Sequence, residues 1–236
     1  MRHKFSETEL VEQLKLLGLK EGDTVLVRAS MGKVGPTQPR DRNVLARCIL
    51  SIIGNNGTLI ALAFTPSSVL GLKHNLFKRD AKSNAGAFSN GLIKYPGSVR
   101  SEHPTNSFVA IGHNANYILS DHGQHSNCYA PMEKLIELNA KMLLVGCDEE
   151  SPGFTTVHYT QEKLGLTNKS LFKYLFHAYY LCNNKTKRFI RKDIGGCSKG
   201  FNKFYPFYID LNRGVIGNAD ALMIDCVTAF NVEIKL

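Results

Sequence analysis

Leu10, Leu14 and Leu17 recur at helical spacing near the start of the chain. Ser6 and Glu9 precede that stripe three residues apart, where each side chain can serve the other's backbone N–H. Gly18 follows as a stop. The pattern predicts a first helix between Ser6 and Gly18. Residues 24–27 form a short β-branched run that reads as a buried strand, and the loop 28–35 (RASMGKVG) follows it. Val44, Leu45, Cys48, Ile49 and Ile52 then share one face of a second helix, with Asp41 as its cap. Asn55-Asn56-Gly57 turns into a strand at 58–64, which breaks at Thr65-Pro66. Residues 67–86 lack a strong period and read as a long loop, uncommon in compact domains unless functional. Helical spacing returns at 88–95, then a strand at 108–111, helices near 115–119 and 132–138, and a strand at 142–145. Residues 154–164 read as helix, and 175–182 and 187–190 flank Asn183-Asn184 as a hairpin. The segments 200–207, 215–217 and 219–229 mix helix with short strand. Such alternation, without internal repeats or low-complexity stretches, predicts one α/β domain over residues 1–236.

Composition narrows the class. Apolar types make up 43% of the 236 residues and charged types 21%, so a packed core is expected rather than disorder. No run approaches the ~18 apolar residues of a spanning helix, and the basic start MRHKFSETEL has no apolar stretch behind it. A cytoplasmic protein without membrane insertion is the expectation. The six cysteines contain no CxxC pair, which fits neither a zinc ribbon nor a dense disulfide framework. Cys147 and Cys226 end or sit in apolar runs and read as core thiols. Asp121-His122-Gly123-Gln124-His125, followed by Cys128, could be imagined as metal ligands, but no HExxH accompanies them and a polar loop is the better reading. No metal is therefore expected. Neither GxGxxG nor a P-loop occurs, so dinucleotide and nucleotide-hydrolysing readings lose their usual support.

Charge is concentrated. Between residues 163 and 208 ten basic side chains face one acid, Asp193, and the rest of the chain balances at 19 against 19, so this window carries the whole net +9. A field of that kind gathers anionic ligands, although a solvated basic hairpin face explains the count equally well. Specific nucleic-acid binding is not expected, because no recognised nucleic-acid motif accompanies the charge.

Several segments, in order, resemble the aminoglycoside 3-N-acetyltransferase family. They are RASMGKVG (28–35), GTLIALAFT (57–65), PGSVRSEHPTNSFVAIG (96–112), APMEKL (130–135), KMLLVG (141–146), FTTVHYTQE (154–162) and GVIGNADA (214–221). Most specific is RSxHPxxS followed about fifty residues later by TxxH. The resemblance implies an α/β fold with a mixed central sheet flanked by helices. It also implies transfer of an acetyl group from acetyl-CoA to an amine, usually on a sugar.

What the family pattern implies for particular residues is as follows. His158 matches the TxxH histidine, the general base, and imidazole suits that role because it titrates near pH 6.5 and can take a proton without permanent charge. From sequence alone, a satisfied histidine packed under Phe154 is the competing reading. The carboxylate partner falls on Asp193, with Lys192 where a family glutamate would stand. Gln161 stands where the family carries glutamate, and Glu162 is turned by ~100° from it, so it does not replace it. Ser30, Lys33 and Gly35 match donor-loop positions, with Arg28 where many members have histidine. Arg100, Ser101, His103 and Ser107 match a second donor loop, and the phosphates of coenzyme A call for such cations and N–H donors. Thr65 and Thr155 are candidates for the substrate side, as donors to the oxyanion of the tetrahedral intermediate.

Direct transfer is expected, since no serine or cysteine lies in a nucleophile motif. The leading reading from sequence is an N-acetyltransferase acting on an amino sugar, free or nucleotide-linked, in surface polysaccharide biosynthesis, because the basic chain would repel a polycation. The alternatives are aminoglycoside 3-N-acetylation conferring antibiotic resistance and, from another class, a noncatalytic binder of anionic polymers. A homo-oligomer is left open.

Overall fold

The computed structural model of the chain describes residues 3–38, 41–147, 154–166, 174–191 and 200–236. Along the chain the elements are β1 (Phe5–Ser6), α1 (Glu7–Leu16), β2 (Thr24–Ala29), α2 (Met31–Val34), β3 (Thr37–Gln38), α3 (Val44–Ile53), β4 (Thr58–Leu62) and β5 (Ser68–Val69). Next come α4 (Ala87–Ile93), β6 (Val99–Arg100), β7 (Phe108–Gly112), α5 (Ala115–Leu119), α6 (Pro131–Glu137) and β8 (Lys141–Val145). The last are α7 (Thr155–Lys163), β9 (Phe176–Cys182), β10 (Lys185–Ile190), β11 (Asn212–Ile216), β12 (Ala219–Asp225) and α8 (Cys226–Glu233).

The main sheet has strand order β11-β12-β8-β2-β4-β7-β6 and is mixed. β2 runs parallel to both β4 and β8, while β12, β7 and β6 pair antiparallel to their neighbours. The run Thr-Val-Leu-Val is apolar throughout because both sheet faces are covered. Val25, Val27, Leu59 and Ala61 pack with α1, α3 and α4 on one side. Leu26, Ile60, Leu62 and Leu144 pack with α5, α6, α7 and α8 on the other. The mixed sheet between helices is the fold the resemblance implied. No helix among the described residues is long and apolar enough to cross a membrane.

Because β4 and β8 lie on opposite sides of β2, the chain reverses direction across the sheet at the carboxyl ends of these strands. Open α/β sheets leave a crevice there. The 101–107 loop joins β6 to β7 at this same end, tied to β4 by Ala63 N–H donating to Ser107 O (2.8 Å) and Thr65 N–H to Thr105 O (2.9 Å). A second sheet, β10-β9-β5, is fastened over that loop through Phe189, whose ring meets His103 edge-on at 5.2 Å.

Several local expectations change. The 28–35 loop contains the short helix α2. Asp41 does not cap α3: its Oδ1 accepts from Asn43 N–H at 2.9 Å, so the chain makes an extra turn before Val44, and its other oxygen meets Arg47. The supposed loop 67–86 contributes β5, whose Val69 pairs with Phe176. β10 starts two residues early because Asn183 and Asn184 take positive φ (51° and 58°), a tight two-residue turn that lets pairing begin at Lys185. The α1 capping box is present as the sequence implies.

Candidate active site

Three chain segments meet at the carboxyl end of β2. The backbone N–H of Ser30 donates to Val145 O at 2.8 Å, and α2 then turns back, with Lys33 and Val34 N–H donating to Ser30 O. The β11–β12 turn closes over this loop through Asn218 N–H donating to Val34 O at 3.0 Å. Glycine is needed at that approach. Gly217 sits at φ +61°, and a Cβ there would strike the Val34 carbonyl oxygen. The result is a cavity of about 410 Å³ bounded by Arg28, Ser30, Lys33, Ala85, Gly146 and Cys147. A larger one, about 1000 Å³, lies on the other side of Lys33 and includes Lys4, Gly35, Thr37, Arg42 and Asn218. Cys147, expected in the core, is half-buried at the crevice. Cys226 is fully buried, and burial pushes its thiol well up.

The second donor loop is built differently from expectation. Arg100 is buried, its Nε donating to Ser107 Oγ at 3.0 Å and its terminal nitrogens to the carbonyls of Ala63, Arg79 and Ala81. Its guanidinium also lies over the Phe77 ring at 5.2 Å. Burial pulls its pKa from 12.5 to about 10, with Asp80 opposing the shift, so it stays charged. This cation pins 63–65 and 78–81 together. Thr65 Oγ1 accepts from Arg100 at 3.4 Å, which ties it to the same scaffold. Ser107 Oγ donates to Ala63 O, and Ser101 Oγ accepts from Phe108 N–H and meets His122 Nδ1 at 2.9 Å. His103 Nδ1 accepts from the N–H of Asn106. Ser101, His103 and Ser107 are all buried, so they organise the loop from within rather than line an open face.

His122 is also buried, stacked on His103 at 4.8 Å, and burial lowers its pKa from 6.5 to about 4. His125 is exposed beside Gln124. The two histidines of the HxxH pair point to different surroundings and do not converge.

His158 lies on the second turn of α7, half-buried. Its Nδ1 lies 3.3 Å from Gln161 Oε1. Its face stacks on Tyr129 (4.9 Å, 14° between planes), and Phe201 meets it at 5.0 Å and 65°. Tyr129 in turn touches Phe64, just past β4, whose carbonyl accepts from Asn84 N–H beside the smaller cavity. Thr155 is buried at the start of α7. Asp193, the expected partner of His158, lies outside the described residues, as do Lys169, Lys173, Lys192, Cys197 and Lys199. Of the basic window, Lys185, Lys187 and Arg188 are exposed on β10, and Lys163 pairs with Glu133 at 2.7 Å.

Two carboxylates escape sequence reasoning. Glu162 accepts from Cys128 N–H (2.9 Å) and Tyr129 N–H (3.1 Å). Glu233 on α8 is buried and accepts from Thr156 (2.7 Å), Thr160 (3.2 Å) and Tyr208 (2.6 Å). Burial raises its pKa from 4.5 to about 7 against those three donors. The only advance signal was a glutamate within the apolar C-terminal stretch.

The structure thus combines a mixed α/β sheet with a switch-point crevice, a lysine on α2 beside two cavities and a half-buried imidazole on α7. The family model for aminoglycoside 3-N-acetyltransferase matches residues 26–236, and the chain belongs to that family. Among curated relatives, aminoglycoside N(3)-acetyltransferase III of Acinetobacter baumannii is 27% identical over 183 residues, 70% of this chain and 63% of the relative. The match thus spans just under two thirds of that relative's length. Aminoglycoside N(3)-acetyltransferase IX of Micromonospora chalcea is 22% identical, covering 98% of this chain and 92% of its own. In fold, the chain is similar to AAC-VIa bound to sisomicin (TM-score 0.81, 21% identity, 99% and 97% of the two chains). It is equally similar to AAC-IIIb in binary complex with CoASH (TM-score 0.80, 20% identity, 99% and 96%).

Proposed function

We propose that the chain transfers an acetyl group from acetyl-CoA to an amine of an aminoglycoside, with His158 as general base. The observation that carries the reading is the half-buried imidazole of His158, stacked on Tyr129 and within 3.3 Å of the Gln161 carboxamide. The family membership and the names of the relatives support the acceptor class, in place of a nucleotide-linked sugar for polysaccharide biosynthesis as the leading reading.

In this reading one ring nitrogen of His158 takes the proton as the amine nitrogen attacks the thioester carbonyl. The tetrahedral intermediate collapses, the C–S bond breaks, and the proton passes to the departing thiolate. The products are the amide and coenzyme A. Ser30, Lys33 and Gly35 belong to the donor side, because Lys33 borders both cavities, with Ser30 lining the smaller and Gly35 the larger. Arg28 and Arg42 add positive charge there, which suits a polyphosphate. Asp193 is proposed as the carboxylate partner of His158, and Thr155 as an oxyanion donor.

One observation favours a second acceptor. Lys185, Lys187 and Arg188 are exposed on the hairpin over the site loops, and such a surface attracts a nucleotide-linked amino sugar more than a polycation. Thiol release from acetyl-CoA, measured with aminoglycosides, free amino sugars and nucleotide-linked amino sugars, decides between them. Release with aminoglycosides alone is the expected result. Release only with nucleotide-linked sugars supports the second reading. No release with any acceptor, together with salt-sensitive polyanion binding, rejects both in favour of a binder.

A further inference from the structure

We infer that Glu162 and Tyr129 are positioning residues for His158, with Glu162 fixing the turn at 128–129 so that the Tyr129 ring forms the plate on which the imidazole lies. The inference deepens the reading of His158 as the base and rests on it. On α7, positions 158 and 162 are one turn apart and share a face. Each oxygen of the Glu162 carboxylate takes a separate main-chain N–H, from Cys128 and from Tyr129, and hydrogen bonds to a charged acceptor are stronger than neutral ones. Those two residues form the turn directly ahead of α6, so the carboxylate joins α7 to α6 across the loop that carries Tyr129. Tyr129 is buried while His158 is half-buried, so the plate is the fixed member of the pair and the imidazole leans on it from the open side.

The groups set against the imidazole include the face of Tyr129, the ring of Phe201 and, at Nδ1, the carboxamide of Gln161. Tyr129 holds the ring plane. A base that must meet a nitrogen within hydrogen-bond reach loses rate steeply when its plane swings, since misplacement by ~1 Å can cost on the order of 100-fold. Glu162 acts on that plane through Tyr129, two contacts away although it shares α7 with His158.

The test combines NMR with kinetics on full-length wild type, Y129F, Y129L and E162Q. Wild type and Y129F are expected to share an upfield ring-current displacement of the His158 C–H protons. Y129L should lose that displacement and E162Q should diminish it. In both of these variants kcat should fall about tenfold while KM for acetyl-CoA stays within about twofold, and Y129F should remain within about twofold of wild type. E162Q barely alters side-chain volume, so it carries the test if Y129L does not fold. Unchanged His158 shifts and unchanged kcat in E162Q overturn the inference. If wild type transfers no acetyl group, the functional reading fails, yet the His158 shifts in E162Q still decide the positioning role by themselves.

Discussion

Replacing His158 with alanine removes the half-buried imidazole of α7. Turnover should fall at least about 100-fold, the usual contribution of a positioned base, while acetyl-CoA affinity, read by calorimetry, stays near wild type because Lys33 and Ser30 are untouched. Near-normal turnover would place the base elsewhere. At this scale the sequence was legible where chemistry is local. The Ser6–Glu9 box and the TxxH histidine could be read directly because each signal lies within a few residues. Glu162 could not. Its angle from Gln161 was the natural comparison, but its partners are amides 33 and 34 residues upstream. The surroundings of Arg100 were hidden for a similar reason: only the fold shows the carbonyls of 63, 79 and 81 around it.

Among the elements, the crevice depends on how closely the β11–β12 turn approaches α2. Gly217→Ala would set a methyl group against the Val34 carbonyl at a left-handed φ, so either the turn or α2 must retreat. A loss of roughly 1–3 kcal/mol in urea unfolding is expected from such a position, with weakened acetyl-CoA binding because Lys33 and Asn218 border the same cavity. Equal stability and affinity would show that the approach is slack. The strands of the sheet were easy to foresee, since unbroken apolar runs such as 24–27 and 142–145 imply burial on both faces. Their order was not. Nothing local in the sequence says that β8 pairs with β2 on the side away from β4, and that arrangement is what opens the crevice.

For the molecule as a whole, two buried titratable groups act against each other on acidification. The folded pKa of Glu233 is raised to about 7, so its contribution is fully present below 4.5 and is lost as pH rises through 7. The folded pKa of His122 is lowered to about 4, so its contribution is present above 6.5 and is lost as pH falls through 4. Each is worth roughly 3 kcal/mol at ~1.4 kcal/mol per unit, and between pH 6.5 and 4.5 the two slopes nearly cancel. Glu233→Gln removes one of them. Urea unfolding should therefore show the variant at a greater disadvantage to wild type at pH 5 than at pH 8. An equal deficit at both pH values would mean that Glu233 does not titrate as a buried acid.

The helix that bears His158 is pinned by a carboxylate 77 positions further along the chain, and Val34 is capped by Asn218. While the chain emerges from a ribosome, α7 is complete long before Glu233 exists to accept from Thr156 and Thr160. A nascent chain halted before these late residues therefore holds α7 only by its bonds to the α6 side, with the crevice still unclosed at Val34. Both closures wait for the last strands and helix of the chain to be made.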